Sequence, residues 1–331
     1  MPELTTYAKA VGAGLRLLLS EDDRVFLAGE DIGVYGGAFG VTEGLLGDFG
    51  EERVRDTPIS EDVIVGMGIG AAMTGMRPVV EIQFSDFIVN AMDAIVNQAA
   101  KLHFMYGGNV EVPLVIRAPG GGGTGAAAQH SQSLEAWFAH IPGLKVVVPA
   151  TVQDAHDLLI ASVLDANPVV LLEHKLLYKT EGQFEARQRV EDVEARIGEA
   201  AIAREGTDLT IAAYSMMTVK ALQAAAELES EGISAEVVDL RTVRPLDIDT
   251  VRRSVRKTGR LVVAQEAPGP VGVGAEVAAG VVESDALDFL LAPVRRVHGR
   301  DIPMPYARDL ERATIPQAGD VVAAAREVVE A

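Results

Sequence analysis

Residues 55–81 read RDTPISEDVIVGMGIGAAMTGMRPVVE and hold a turn, a helix and a strand in that order. Asp56-Thr57-Pro58 is the turn, since proline fixes φ and removes a backbone donor. From Val63 to Met76 there is no charge, and Gly66, Gly68, Gly70, Ala71, Ala72 and Gly75 leave little side-chain bulk. Such a helix lets another backbone or a flat ligand approach closely. Ser60 suits an N-cap, and Glu61 and Asp62 suit the first turn. Two readings of Glu61 stand side by side. One is an ordinary first-turn acid on a capped, buried helix. The other is a carboxylate held against an apolar pocket, where desolvation raises its pKa and lets it exchange a proton with a bound heterocycle.

The same alternation continues in both directions. Upstream, residues 5–20 place Val11, Leu15, Leu18 and Leu19 at helical spacing, and Arg24 to Ala28 is a short strand. The glycine-rich loop of residues 29–40 follows that strand and reads equally as a ligand-lining loop or a plain surface loop. Downstream, PVVEIQ at 78–83 is a strand and residues 87–106 a helix, with Phe87 at the junction as a core aromatic or a stacking surface. VPLVIR at 112–117 is a strand. The glycines at 120–123 and 125 cannot hold one conformation unaided, so the loop is expected to order around a ligand or partner. His130 follows them at the start of a helix expected over 132–140, where a helix N-terminus lowers a histidine's pKa and favours an anion. Strand 144–148, helix 151–165 and strand 168–173 complete a domain of residues 1–178.

Residues 179–197 are polar and form a linker, and residues 198–331 make a second domain with strands at 209–215, 235–240, 260–265 and 294–297. The fold class is α/β, with two domains that each carry a mostly parallel sheet with helices on both faces.

The net charge of -19 repels nucleic acid and anionic membranes, so neither is an expected partner, while a basic protein surface is a suitable one. With no cysteine, disulfides, thiolate catalysis and cysteine metal sites are excluded, which fits a cytoplasmic chain. No secretory signal is visible at the N-terminus. No apolar run reaches the roughly 18 residues of a membrane span. The six histidines show no HExxH spacing, and no serine lies in a GxSxG elbow. What remains is Glu61, His130 and glycine loops, which need a cofactor for any difficult bond cleavage.

The runs DTPISE, EIQFSDF, IVNQAAK, GAAAQHSQSLEAWFAH, PGLKVVVP, NPVVLLEHKLLY, DLRTVRPLD and PMPY resemble, in that order, the beta subunit of the thiamine-dependent 2-oxo acid dehydrogenases. The resemblance spans nearly the whole chain. It implies a transketolase-like pyrimidine-binding domain followed by a transketolase C-terminal domain. It also implies an alpha2-beta2 heterotetramer with thiamine diphosphate at each alpha-beta interface. The family's GDG motif, which helps hold magnesium, is absent here, so magnesium is expected on the alpha subunit. By resemblance, Glu61 pairs with the pyrimidine nitrogen, Gln83 and Phe87 line and stack on the ring, and His130 faces substrate and assists acyl transfer to lipoyl. Potassium, held by carbonyls at Leu114, Ser162, Val163, Asp165 and Asn167, is a further expectation; an ordinary helix C-terminus is the alternative.

The activity implied is decarboxylation of a 2-oxo acid, pyruvate first, with acylation of a lipoyl-bearing transacylase. Acetoin and branched-chain counterparts are the enzyme alternatives, and a non-catalytic scaffold subunit is the alternative of another class.

Overall fold

Strands β2 (Val25–Gly29), β5 (Val115–Gly120) and β7 (Val169–His174) are buried at every residue. Successive residues point to opposite faces, so both faces of their sheet are covered. In the computed structural model, which describes residues 2–331, the first unit comprises residues up to Gly120 together with Trp137–Ile197. Its other elements are β1 (Glu3–Thr6), α1 (Tyr7–Glu21), α2 (Leu45–Phe49), β3 (Val54–Asp56), α3 (Glu61–Met73), β4 (Arg77–Glu81), α4 (Ala100–Met105), β6 (Lys145–Val147), α6 (Val152–Leu164) and β8 (Glu181–Phe184). The helix α5 (Glu135–Ala139) precedes β6. Strands β6-β7-β5-β4-β2-β3 lie side by side and parallel.

The second unit comprises Gly121–Ala136 and Gly198–Ala331. It contains β9 (Ala201–Arg204), β10 (Leu209–Ala213), α7 (Met216–Glu229), β11 (Ala235–Asp239), β12 (Thr242–Arg244), α8 (Ile248–Thr258), β13 (Leu261–Pro268), α9 (Val273–Val282), β14 (Arg295–Gly299), α10 (Arg308–Thr314) and α11 (Ala318–Glu330). Its sheet runs β14-β13-β10-β11-β9, parallel except for β9 against β11. Ile211, Val237 and Val262 of the sheet share one core with Leu228 of α7 and Val321 and Val328 of α11. The helix signals here are local: Asp247 caps α8 through Thr250 N, Arg256 and Lys257 fill its last turn, and Gly259 ends it at φ +71°.

Several sequence expectations need adjustment. The segment expected as one helix over 87–106 is a 3₁₀ turn (Ser85–Ala91), a π-helical turn (Ala94–Ala99) and α4. Ala94 and Ile95 are buried together with Ala99 and Ala100, a spacing of five that matches the wider π turn. The polar stretch 179–197 is not free of structure. Its residues 181–184 form β8, antiparallel to β1. Arg187 bonds Asp157 of α6 at 2.9 Å, and Val190 N donates to Glu21 of α1 at 2.9 Å. Its polarity reflects these fastenings. By their contacts residues 121–136 group with the second unit, a matter of packing that leaves the expected domain bounds along the chain as they were.

Ser60 occupies the N-cap position of α3 but makes no side-chain cap bond. Nor is α3 buried all round. Ile64, Val65, Gly68, Ile69 and Ala72 face inward, and a Cβ at Gly68 would meet Leu114 Cδ1 at 2.8 Å. Val63, Met67 and Met73 are exposed on the other side, and a Cβ at Gly66 or Gly70 would meet nothing within 4 Å.

Candidate functional site

Glu61 opens α3 at the end of a turn that Thr57 N ties to Gly29 O, the last residue of β2, at 2.9 Å. Glu30 continues from β2, so two carboxylates meet at the carboxyl ends of parallel strands, where α/β sheets bind ligands. Glu61 is 8% exposed, and its Oε2 accepts from Asn90 Nδ2 at 3.3 Å. Glu30 is equally buried, and its Oε1 has no hydrogen-bond partner. Burial raises the Glu30 pKa, and the negative charges of Glu61, Asp31 and Glu81 add to the effect. The neighbouring loop is fixed by Asp56, whose two oxygens accept from Gly33 N at 2.6 Å and Val34 N at 3.1 Å.

Gln83 and Phe87 are half-buried just after β4. Phe87 packs edge-on against Phe84, with ring centroids 6.2 Å apart, and Phe84 packs against Phe39 at 6.1 Å. Phe39 stacks on Tyr178 at 4.8 Å. Asn90, the partner of Glu61, lies one turn beyond Phe87 in the same 3₁₀ segment, which packs against α3. The structure therefore brings Glu61 together with the turn that carries Phe87. Aromatic edges and faces beside a carboxylate with unused acceptor capacity suit a flat, nitrogen-bearing ring. Glu30 and Asn90 were missed in the sequence, where a residue after a strand and a residue one turn past an aromatic are weak signals.

A second acidic group lies deeper in the same sheet. Arg117 is 1% exposed and bonds Glu81 Oε2 at 2.5 Å and Glu173 Oε2 at 2.6 Å. Tyr178 OH donates to the same Glu173 oxygen at 2.8 Å. Burial disfavours the guanidinium charge, but Glu173 and Glu81 outweigh it and hold the Arg117 pKa above its usual range. Burial still pushes Glu81 up, against the pull of Arg117.

The expected potassium ligands gather around the C-terminus of α6. Val163 O and Asp165 O accept from Arg77 Nη1 at 2.5 and 3.3 Å, and Leu114 O accepts from Val169 N at 2.9 Å. Each carbonyl retains a second lone pair. The Asp165 side chain bonds Lys145 Nζ and Asn167, and those bonds lower its pKa although burial opposes them. Ser162 Oγ donates to Leu158 O at 2.6 Å. Among the described residues no group of three or more His, Asp or Glu side chains is arranged to hold a metal ion.

His130 is half-buried in the second unit. It does not start a helix, because α5 begins only at Glu135. The Gln132 carbonyl, which an N-terminal turn would need, accepts from Gly121 N at 3.0 Å. His130 N instead closes a turn onto Ala127 O at 3.3 Å. The glycine loop before it is held by carboxylates: Gly122 N donates to Glu266, and Gly123 N and Gly125 N donate to Glu311. Nearby, Glu135 Oε2 is buried without a hydrogen-bond partner. Burial pushes the Glu135 pKa up to about 7, against its own backbone hydrogen bond, and Glu266 adds repulsion. Tyr214 is 3% exposed with an unpartnered hydroxyl, and burial raises its pKa well above the ordinary range.

Residues 4–181 match the family described as transketolase, pyrimidine binding domain, and residues 198–321 match transketolase, C-terminal domain. Among curated proteins, the mitochondrial pyruvate dehydrogenase E1 component subunit beta-2 of Oryza sativa subsp. japonica is 48% identical over 97% of this chain and 85% of its own length. The E1 subunit beta of Rickettsia bellii (strain RML369-C) is 45% identical over 98% of both chains, and that of Homo sapiens 43% identical over 98% of this chain and 90% of its own. A solved split-gene transketolase, an inactive beta4 tetramer, has a TM-score of 0.80 and 26% identity over 98% of both chains. With the buried carboxylate at the head of α3 and two matched domains in series, these similarities show that the chain belongs to the transketolase-like family of pyruvate dehydrogenase E1 component beta subunits.

Proposed function

We propose that this chain works with a separate alpha subunit in an alpha2-beta2 heterotetramer. In that assembly it supplies the pyrimidine half of a thiamine diphosphate site for the oxidative decarboxylation of pyruvate. The observation that carries the reading is Glu61: a buried carboxylate with one long hydrogen bond, to the turn that carries half-buried Phe87. These residues fit a flat aminopyrimidine, which leaves room for a carboxyl partner at one ring nitrogen and an apolar face against Phe87. When bound, thiamine diphosphate supplies the carbanion chemistry that side chains cannot.

This chain's own residues do the rest. Glu61 exchanges a proton with the ring nitrogen, and its burial, which keeps most water away, strengthens that interaction. Glu30, with its raised pKa, limits the negative charge gathered next to Glu61. His130 faces substrate and assists transfer of the acyl group to the lipoyl group of a transacylase. Magnesium belongs to the alpha chain, since the GDG anchor is missing from this sequence. Potassium is proposed at the carbonyls near Val163 and Asp165; a melting point raised by KCl and not by NaCl supports it, and equal midpoints remove it. The chain alone is expected to self-assemble without activity, as in the related inactive beta4 tetramer, and to reside in the cytoplasm.

Calorimetry with thiamine diphosphate and magnesium tests the core of the proposal. Binding only when the alpha subunit is present is the expected result. Tight binding by this chain alone would overturn the division of labour. The names of the relatives favour pyruvate over acetoin or a branched-chain acid, and competition among these substrates in the assembled enzyme decides between them.

A further inference from the structure

The loop that leads to His130 is fastened by two carboxylates for which the chemistry above has no use. Gly121 N donates to Gln132 O at 3.0 Å, which closes the segment 121–132 at its base. Glu266 Oε1 accepts from Gly122 N at 2.7 Å on one limb and from Ser133 Oγ at 3.3 Å on the other. Glu311 of α10 takes the tip, with Gly123 N donating to Oε1 at 2.8 Å and Gly125 N to Oε2 at 2.9 Å. Its side chain is buried at 2% exposure, and both bonds are partly buried. Hydrogen bonds to an ionised acceptor are about twice as strong as neutral ones.

The backbone fits this role. Gly123 and Gly125 have φ of +94° and +73°, a region that glycine enters without strain. At Gly122 a Cβ would meet Ile315 Cδ1 at 2.6 Å. Three amides that could have formed an anion cradle are therefore saturated by the chain itself. A glycine run with large conformational freedom is fixed by the second unit's own side chains.

We propose that Glu311 and Glu266 are positioning residues for the acyl-transfer step: by holding the segment 121–132 they set the place of His130. The inference rests on the role given to His130 above. Neither carboxylate touches substrate; both act through the loop. A misplacement of about 1 Å in a catalytic group can lower a rate on the order of a hundredfold.

The test uses the assembled enzyme with E311Q, E266Q and H130A. Glutamine keeps the shape and one acceptor oxygen, but its amide nitrogen cannot accept from a second N–H. Two rates are compared: decarboxylation of pyruvate linked to an artificial electron acceptor, and reductive acylation of a free lipoyl domain. E311Q is expected to lower the acylation rate about tenfold more than the acceptor-linked rate, and E266Q to act in the same sense. Equal loss in both rates, or no loss, overturns the positioning role. If H130A loses both rates equally, the role of His130 fails, and the reason for positioning it fails too. If H130A is selective and E311Q is not, only the positioning fails.

Where a variant does not assemble, hydrogen exchange on the unaltered full chain decides. Slow exchange of residues 121–132 without cofactor supports fastening by the carboxylates. Complete exchange within seconds, slowed only by cofactor and the alpha subunit, overturns it.

Discussion

The head of α3 and the loop before His130 both place glutamates out of water, yet treat them in opposite ways. At Glu311 each oxygen accepts from a backbone amide at under 3 Å. At Glu61 one oxygen has a bond of 3.3 Å to an exposed asparagine, and Glu30 beside it keeps an oxygen with no partner. Burying a carboxylate without filling its acceptor sites is unfavourable, and folding alone gives no reason to keep it so. The satisfied glutamates hold structure. At Glu61 and Glu30 the acceptor capacity left over is where a ligand has something to add.

The contrast can be broken first where it should be widest in stability. Glu81 and Glu173 are each held by the Arg117 guanidinium through one oxygen, although Glu173 Oε1 has no hydrogen-bond partner. R117M leaves both buried without their cation, which should cost about 3–5 kcal/mol in chemical denaturation at neutral pH. The loss should shrink on acidification, because burial already pushes Glu81 toward its neutral form. A loss below about 1 kcal/mol would show that the core carboxylates need no partner, and the distinction would lose its meaning.

A smaller effect is expected at Glu61, and in activity rather than stability. E61Q in the assembled enzyme should lower pyruvate turnover about a hundredfold, the lower end for a group that moves a proton. Its melting temperature should stay near that of the unaltered protein, since glutamine keeps an oxygen that accepts from Asn90. Full activity with intact assembly would favour the scaffold reading. A collapse of the fold would place Glu61 with Arg117 among the structural groups.

How much of this could be read in the sequence depended on distance along the chain. Glu61 was legible because turn, first-turn acid, charge-free helix and strand lie together in 27 residues. The parallel sheets followed from the spacing of apolar runs. α11 also carries a local signal, in the helical spacing of Val321, Val322, Ala325 and Val328, although no expectation was placed on it. Glu311 carries none. Its partner Gly123 is 188 residues away, and a glutamate in a short polar helix looks like any solvated one. The carboxylates on the glycine loop escaped notice for the same reason: local composition gives the loop its freedom, and only the tertiary fold brings Glu266 and Glu311 to its amides. The start of α5 was misplaced because Gln132 O bonds to Gly121 N, a contact outside any local window.

Glu135 tests whether the loop region also contains an unsatisfied carboxylate. Its Oε2 has no partner, and burial with the charge of Glu266 brings its pKa to about 7. In the unfolded chain a glutamate titrates near ~4.3. Between these values the folded protein keeps a proton that the unfolded chain has released. Folding then takes up a proton, so stability falls as pH rises through this window and levels off above about 7. Tyr214 faces the same space but stays protonated throughout, because its pKa is raised well above the ordinary range. E135Q removes the titration. Its stability relative to the unaltered chain should therefore climb between pH 4 and pH 8, by on the order of 1–3 kcal/mol. Urea denaturation of both proteins at the two ends of the window measures the difference. A constant offset would mean that Glu135 is ionised and satisfied in the fold, which would place it with Glu266 and Glu311 and leave Glu30 and Glu173 as the described glutamates with a buried unpartnered oxygen.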